Sequence, residues 1–475
     1  MTEKVKIIIS DTHIGAGGAK MGNKLEDFTS DVIFFQWVQR LIQESDQTGK
    51  EMTLIINGDW IEFLQTPTVA NFDPTRRYPT EEYTDLSEAA SLRRLEVVHA
   101  GHPLIFQALA DFINPGPPRR DLVILFGNHD PELVYPGVQK RILELLEAQG
   151  KRKELVRIGE RYYFEDGVWV EHGNAFAESV NRFTNPDAPF DPEHPEIIER
   201  PPGSYVVTDY FNKIEWDRPW IDGVHPMSSL IFYALAYDPL FAIQALKAFL
   251  EAAPDLFADI LATAPADGGE QAPALAQLQE MEDQELAQRL QKDPTFAAAF
   301  ADDVAMALAR KGAAPAPVRG LATGPATSKA PQIRAKEIAE HYWQVLESAA
   351  DEIARNTGAK VVAFGHIHER VQRRLTSGAL YLNTGTWIWK MNFKHASDEV
   401  WRDLIAHPEK YIHQRFLTYA RIDLSDKGAI QSARLLLADA PSAPPEPPEP
   451  MPPAGLWARF VLGMRKIIAI VTGWL

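Results

Sequence analysis

Five short apolar runs in this chain end in aspartate, asparagine or histidine, and those end residues carry its chemistry. Asp11 and His13 follow the run 4–10, and Asp59 follows 52–57 and Gly58. Asn128, His129 and Asp130 follow 121–126 and Gly127, His172 follows 168–171, and His366 and His368 follow 361–364 and Gly365. Carboxylate, carboxamide and imidazole donors suit divalent Mn, Fe, Zn or Co. Each residue alone has a plainer reading, because Asp, Asn and Gly form turns and a His-x-His pair can sit on a surface. Together the five ends supply a complete set of hard-metal ligands. The chain contains no cysteine, so disulfides and thiolate metal sites are excluded and only His, Asp, Asn or Glu can hold a metal.

Strands of open α/β sheets carry their sites at their carboxyl ends, so the surrounding pattern should be β and α in alternation. Run 4–10 is β-branched, and residues 31–42 place Val32, Phe35, Trp37, Val38, Leu41 and Ile42 at near-helical spacing before the second strand, which predicts a β-α-β unit. A helix over 333–355 leads into 361–364. After the two histidines, 380–382 runs into Asn383-Thr384-Gly385-Thr386-Trp387, and 416–424 and 429–437 read as closing antiparallel strands. Segment 60–120 follows a ligand-bearing strand and is expected to overhang the site. Its Arg76, Arg77, Arg93 and Arg94 could bind phosphate but read as solvated surface.

At 475 residues the chain is long enough for two or three domains, and 45% hydrophobic with 24% charged residues excludes disorder throughout. A net charge of -17 argues against a general nucleic-acid binder, which needs a basic face. The apolar run near the start is too short for a secretory signal, so a cytoplasmic location is expected. Residues 175–332 read as an insertion: irregular and Pro-rich over 186–226, helical and apolar over 227–261, then Ala-rich, with no catalytic motif. The apolar run 230–250 is broken by Asp238, Pro239 and Lys247, which favours a helical hairpin packed on the core as a greasy cap over a membrane span. Residues 438–455 form a Pro-rich linker. In 456–475 Phe460, Met464, Ile467, Val471 and Trp474 share one helical face, with Arg459 and Lys466 beside it. The uncharged stretch 467–475 would cover only ~14 Å at about 1.5 Å per residue, so this helix is expected to lie in a membrane interface or dock on the protein itself.

Asp11-x-His13, Gly58-Asp59, Gly127-Asn128-His129-Asp130, His172-Gly173 and Gly365-His366-x-His368 resemble, in order and context, the calcineurin-like metallophosphoesterase superfamily. The likeness covers roughly 4–174 and 333–437, leaving out the insertion and the tail. It implies an α/β fold of the four-layer αββα metallophosphoesterase sandwich type, here with a large mainly helical insertion and a C-terminal amphipathic helix. The likeness assigns 1–174 and 333–437 to the core, and the sequence pattern alone sets off 175–332 as the cap, 438–455 as the linker and 456–475 as the expected interfacial helix.

The resemblance further implies two divalent ions, Mn before Fe, Zn or Co, the first held by Asp11, His13, Asp59 and His368. The second is held by Asp59, Asn128, His172 and His366. His129 is then not a ligand but a donor to the phosphoryl or leaving oxygen, with Asp130 holding its orientation. The implied reaction is hydrolysis of a phosphodiester or pyrophosphate by a metal-bridged hydroxide. Segments 58–63, 171–173 and 381–387 look most like the UDP-2,3-diacylglucosamine diphosphatase branch, which cleaves a pyrophosphate in lipid A synthesis. That implies a phosphorylated small-molecule, nucleotide-sugar or lipid-linked substrate, while the tail pattern of 456–475, a departure from that branch, suggests an inner-leaflet membrane contact and the acidic balance disfavours a nucleic-acid partner. A nuclease or cyclic-nucleotide phosphodiesterase of the same superfamily is the alternative, as is a non-enzymatic scaffold, which would be expected to have lost ligands. Asp130 stands where protein phosphatases of the superfamily carry Glu, which disfavours that branch.

Overall fold

β-Branched residues with few polar interruptions form the central strands, and strands covered on both faces read as continuous apolar runs. The computed structural model describes residues 2–177, 181–225, 227–252, 273–310, 344–393, 396–412 and 415–439. Its strands are β1 (Lys4–Ile9), β2 (Glu51–Asn57), β3 (Arg120–Leu125), β4 (Val156–Glu160), β5 (Tyr162–Glu165), β6 (Val168–Glu171) and β7 (Val224–His225). They continue with β8 (Val361–Phe364), β9 (Arg370–Arg374), β10 (Leu380–Thr384), β11 (Met391–Asn392), β12 (Thr418–Leu424) and β13 (Ile430–Leu437).

The fold is mixed α/β, with two mixed sheets and many helices. One sheet has the order β13-β12-β1-β2-β3-β4 and the other β5-β6-β8-β10-β9. Strands β1 to β4 run parallel, with Ile7 beside Leu54 and Leu54 beside Leu122, and β12 joins β1 antiparallel, as the closing strands were expected to do. Strands β6, β8 and β10 are likewise parallel, edged by antiparallel β5 and β9.

Alternation within each strand divides the apolar residues between two faces. Ile8, Ile55 and Val123 of the first sheet join Val170, Val361, Ala363 and Leu382 of the second in one buried cluster, so the two sheets pack face to face. Ile7, Leu54 and Ile124, on the other face, meet Phe34 and Trp37 of helix Asp31–Thr48 and Phe106 and Leu109 of helix Pro103–Phe112. Val362, Phe364 and Tyr381 meet Leu346, Ala350 and Ala354 of helix Gln344–Thr357. Each fully buried Ile, Leu or Phe contributes roughly 1.5–3 kcal/mol, so these faces fix both the register and the strand ends they deliver.

The apolar hairpin expected in the insertion is present as helices Met227–Tyr237 and Pro239–Ala252. Among the described residues no helix is long and apolar enough to cross a membrane. The insertion's cluster holds Phe232, Tyr233 and Phe300 and also takes in Trp389, Met391, Trp401 and Leu404 from the chain after β10. The linker from residue 440, the helix expected over 456–475 and the start of the helix expected over 333–355 lie outside the described residues.

Two expectations need correction. Residues 60–66 border the site, but helices Glu88–Gly101 and Pro103–Phe112 pack on the outer face of the first sheet instead of over it. Arg94 is not surface: it is fully buried, with Nη1 donating to the Asp85 carbonyl at 2.7 Å. Its helix is capped by Ser87, which accepts from Ala90 N and turns position 94 inward, while neighbouring Arg93 is half-exposed beside Asp85.

Candidate metal centre

Backbone hydrogen bonds join the loops after β1 and β2 and those after β6 and β8, and the Asp130 carboxylate ties the loop after β3 to that after β2. Asp11 N donates to Gly58 O at 3.2 Å, His13 N to Asp59 O at 2.9 Å and Gly365 N to His172 O at 2.9 Å. Five of the seven described non-glycine residues with positive φ are candidate ligands: Asp11 at 52°, His13 at 43°, Asp59 at 48°, His366 at 71° and His368 at 54°. Such conformations cost on the order of 1–3 kcal/mol each and persist where their surroundings over-determine them, which is typical of functional sites. Gly127 has no room for a side chain, because a Cβ there would strike Asp59 Oδ1.

Three sets of potential ligand atoms result: Asp11, His13 and His368; Asp59, His172 and His366; and His13, Asp59 and His129. The first two sets coincide with the two ligand groups expected from the sequence, less Asp59 in one and Asn128 in the other. Asn128 is buried, and its Oδ1 has no protein partner. Donors held about 2.1 Å from one ion stand about 3 Å apart when at right angles. His13 Nε2 lies 3.0 Å from His368 Nε2, His172 Nε2 3.0 Å from Asp59 Oδ2, and His368 Nε2 3.4 Å from Asp11 Oδ1.

The far side of the ligands is held as metal ligands require. His172 Nδ1 donates to Asn57 O at 2.9 Å, and His13 Nδ1 to Glu62 Oε2 at 2.8 Å, leaving each Nε2 with its lone pair toward the centre. His129 N donates to Asp59 Oδ1 at 2.9 Å, and His366 N to Asp11 Oδ1 at 3.0 Å. His368 differs, since its Nδ1 is buried without a partner. These buried His and Asp groups fit a divalent ion by donor type, tautomer and spacing.

The same groups pair charge with one another. Burial works against the charged form of Asp59, but His172, His129 and His13 outweigh it and hold the carboxyl well below its usual range. Asp11 is also lowered, burial being overcome by the hydrogen bond from His368 and by His172. Burial opposes a charged His172, yet Asp59 and Asp11 lift it to about 9.

Asp130 does not orient His129, contrary to the sequence expectation. Its carboxylate instead accepts from Gly127 N at 2.7 Å, Asp59 N at 3.1 Å, Trp60 N at 2.7 Å and Ile61 N at 3.3 Å, tying the β2 and β3 loops together. Burial and the Asp59 carboxylate push Asp130 up to about 7, against the pull of those donors. Glu62 holds His129, accepting from Nδ1 at 2.7 Å with the same oxygen that takes His13. Burial disfavours a charged Glu62, but His129 and His13 bring it to about 2. His129 is disfavoured by burial as a cation and raised by Glu62 and Asp59 to about 10.

Sequence reasoning missed Glu62, whose one signal is an acid among Trp60, Ile61, Phe63 and Leu64. It also missed His225, Asp222 and Lys390. His225 stands with its ring 5.0 Å from that of His368, held well below the usual imidazole value by burial, then by Lys390 and His368. Lys390 is buried and its Nζ donates to the His368 carbonyl. Nothing in the local sequence marks these three. No family model, no curated protein and no solved structure matches the chain.

Proposed function

We propose that this chain is a phosphoesterase that uses two divalent cations to hydrolyse a phosphodiester or diphosphate bond, on a four-layer αββα core with a helical cap. The observation that carries this reading is the convergence of two His/Asp groups, one containing Asp59 and the other adjoining it, at the carboxyl ends of parallel strands. The helix, sheet, sheet, helix order of the apolar clusters supports the four layers. The nitrogen and oxygen donor set without thiolates suits Mn, Fe, Zn or Co, and the resemblance to the metallophosphoesterases puts Mn first.

Two cations bound there would lower the pKa of a water and offset the charge on the phosphoryl oxygens of an in-line displacement. The chain's own residues do the rest. Asp59, fixed through Oδ1 by His129 N, presents Oδ2 toward His172 and His13. Glu62 occupies Nδ1 of His129, so Nε2 is the atom left to give a proton to the leaving oxygen. Glu62 and Asp59 favour the charged ring, and cations held beside Asp59 would offset part of that pull and ease release of the proton. Asp130 fixes the distance between the loops that carry Asp59 and Asn128 through their backbone.

The apolar insertion and the amphipathic sequence pattern of 456–475 favour a nucleotide-sugar or lipid-linked substrate taken at a cytoplasmic membrane face. The test is hydrolysis by the Mn²⁺-supplied full chain of a panel holding an aryl phosphodiester, a nucleotide sugar, a lipid-linked diphosphate and a cyclic nucleotide. Turnover of a diester or diphosphate that stops on chelation is expected. A metal-replete protein inert across the panel contradicts the reading.

A further inference from the structure

The insertion reaches the metal centre through one short strand. β7 pairs in parallel with β11, Val224 beside Met391 and His225 beside Asn392. Met391 N donates to Gly223 O at 2.6 Å and Phe393 N to His225 O at 2.8 Å. A Cβ at Gly223 would run into the Trp389 indole, so this backbone lies flat against that ring and position 225 has little freedom. The result is a row of four imidazoles, His129, His13, His368 and His225, with successive centroid separations of 4.8, 4.9 and 5.0 Å.

Three members of the row are accounted for by the centre, and His225 is not. The Asp222 backbone hydrogen-bonds its ring, while Nε2 is buried with no partner. A neutral imidazole whose Nδ1 donates to a carbonyl offers Nε2 as an acceptor. His225 belongs to none of the three ligand groups, yet its ring lies 5.0 Å from that of His368, which leaves a partnerless Nε2 beside the centre. A buried acceptor of this kind calls for a donor. Asp222, close enough to act on both His129 and His368, faces the Asp27 carboxyl on the same wall, and Trp389 Nε1 donates to Asp27 Oδ1 at 2.7 Å. Lys390, the cation beside the ring, donates to the His368 carbonyl and lies 3.8 Å from Glu369, and an imidazole acceptor with the Asp222 and Asp27 carboxyl groups on the same wall suits a hydroxyl donor.

We propose that His225 is a substrate-binding residue supplied by the insertion, accepting at Nε2 a hydrogen bond from a hydroxyl of the group esterified to phosphate. The substrate class is then a phosphoester of a sugar or polyol. This rests on the phosphoesterase reading, and the experiment separates the two.

The Mn²⁺-loaded full chain is compared with His225→Ala and His225→Gln for calorimetric binding of glucose 1-phosphate, phenyl phosphate and phosphoethanolamine. Metal content and hydrolysis of the matching aryl diesters are measured alongside. His225→Ala should weaken glucose 1-phosphate about tenfold more than phenyl phosphate, with two ions per chain retained, and Gln, which keeps an acceptor, should restore part of the loss. Equal weakening of both ligands, loss of metal, or no binding of glucose 1-phosphate by the wild type overturns the proposal. A preferential loss of phosphoethanolamine overturns the hydroxyl class. If the wild type binds the probes and hydrolyses nothing, the phosphoesterase reading fails while the binding ratio still decides the role of His225.

Discussion

Glu62 and Asp130 are both buried acids beside His129, yet they hold different things, and their loss should show differently. Glu62 carries two imidazoles on one oxygen, whereas Asp130 carries four backbone N–H groups. Replacing Asp130 with Ala strands buried donors and should lower unfolding free energy by about 3 kcal/mol or more, read from denaturant curves. His129→Ala should instead keep both metals and lose ~10²–10⁴ in turnover. Metal content falling together with turnover would make His129 a ligand, as its grouping with His13 and Asp59 permits. At this scale the sequence marked residues that the fold brings together, Asp11, His13, Asp59, His172, His366 and His368, through their shared place at strand ends and not through any one residue type. It was silent on Glu62, 49 residues from His13, because only the folded chain brings that carboxylate to two Nδ1 atoms. The same holds for Asp130, whose neighbour in sequence is His129 but whose partners are backbone groups.

The loop between His13 and helix Asp31–Thr48 is tied to pH through His102. Glu26 accepts from Gly15 N, Gly17 N and Phe28 N, and lies 3.3 Å from His102 Nε2, while His102 Nδ1 donates to Asp31 at 2.7 Å. Burial opposes a charged His102, but Glu26 and Asp31 raise it from 6.5 to about 10. Because the folded value lies above the unfolded one, this stabilisation is complete below pH 6.5 and is lost as pH rises toward about 10. The stability gap between wild type and His102→Ala should therefore be about 3 kcal/mol at pH 6 and shrink steadily toward pH 10. A gap that is flat or widens with pH contradicts the assignment. The strands were legible because burial on both faces leaves uninterrupted β-branched runs. The pairing of Val224–His225 with Met391–Asn392 was not, since a two-residue strand has no periodicity to read.

At the scale of the whole molecule, the insertion is not a separate lobe resting on the core. Trp389, Met391 and Trp401, which follow the last core loop, sit in its apolar cluster, and Trp401 stacks on Tyr233 at 4.3 Å. Composition could mark the insertion but not this sharing, which depends on residues far apart in the chain. The amphipathic 456–475 segment adds a prediction of its own. Its apolar face and the cations Arg459, Arg465 and Lys466, each contributing about 1 kcal/mol near an anionic leaflet, should hold the protein on anionic vesicles. Deleting 454–475 should abolish vesicle flotation and leave hydrolysis of a soluble diester unchanged, and equal flotation of both forms contradicts it. Elemental analysis of purified wild type and Asp59→Ala shows whether two ions share Asp59. The account predicts two divalent ions per wild-type chain and fewer than one in a folded Asp59→Ala chain with no measurable phosphodiester hydrolysis. A folded wild type without metal, or an Asp59→Ala chain that keeps both ions and its activity, would contradict it.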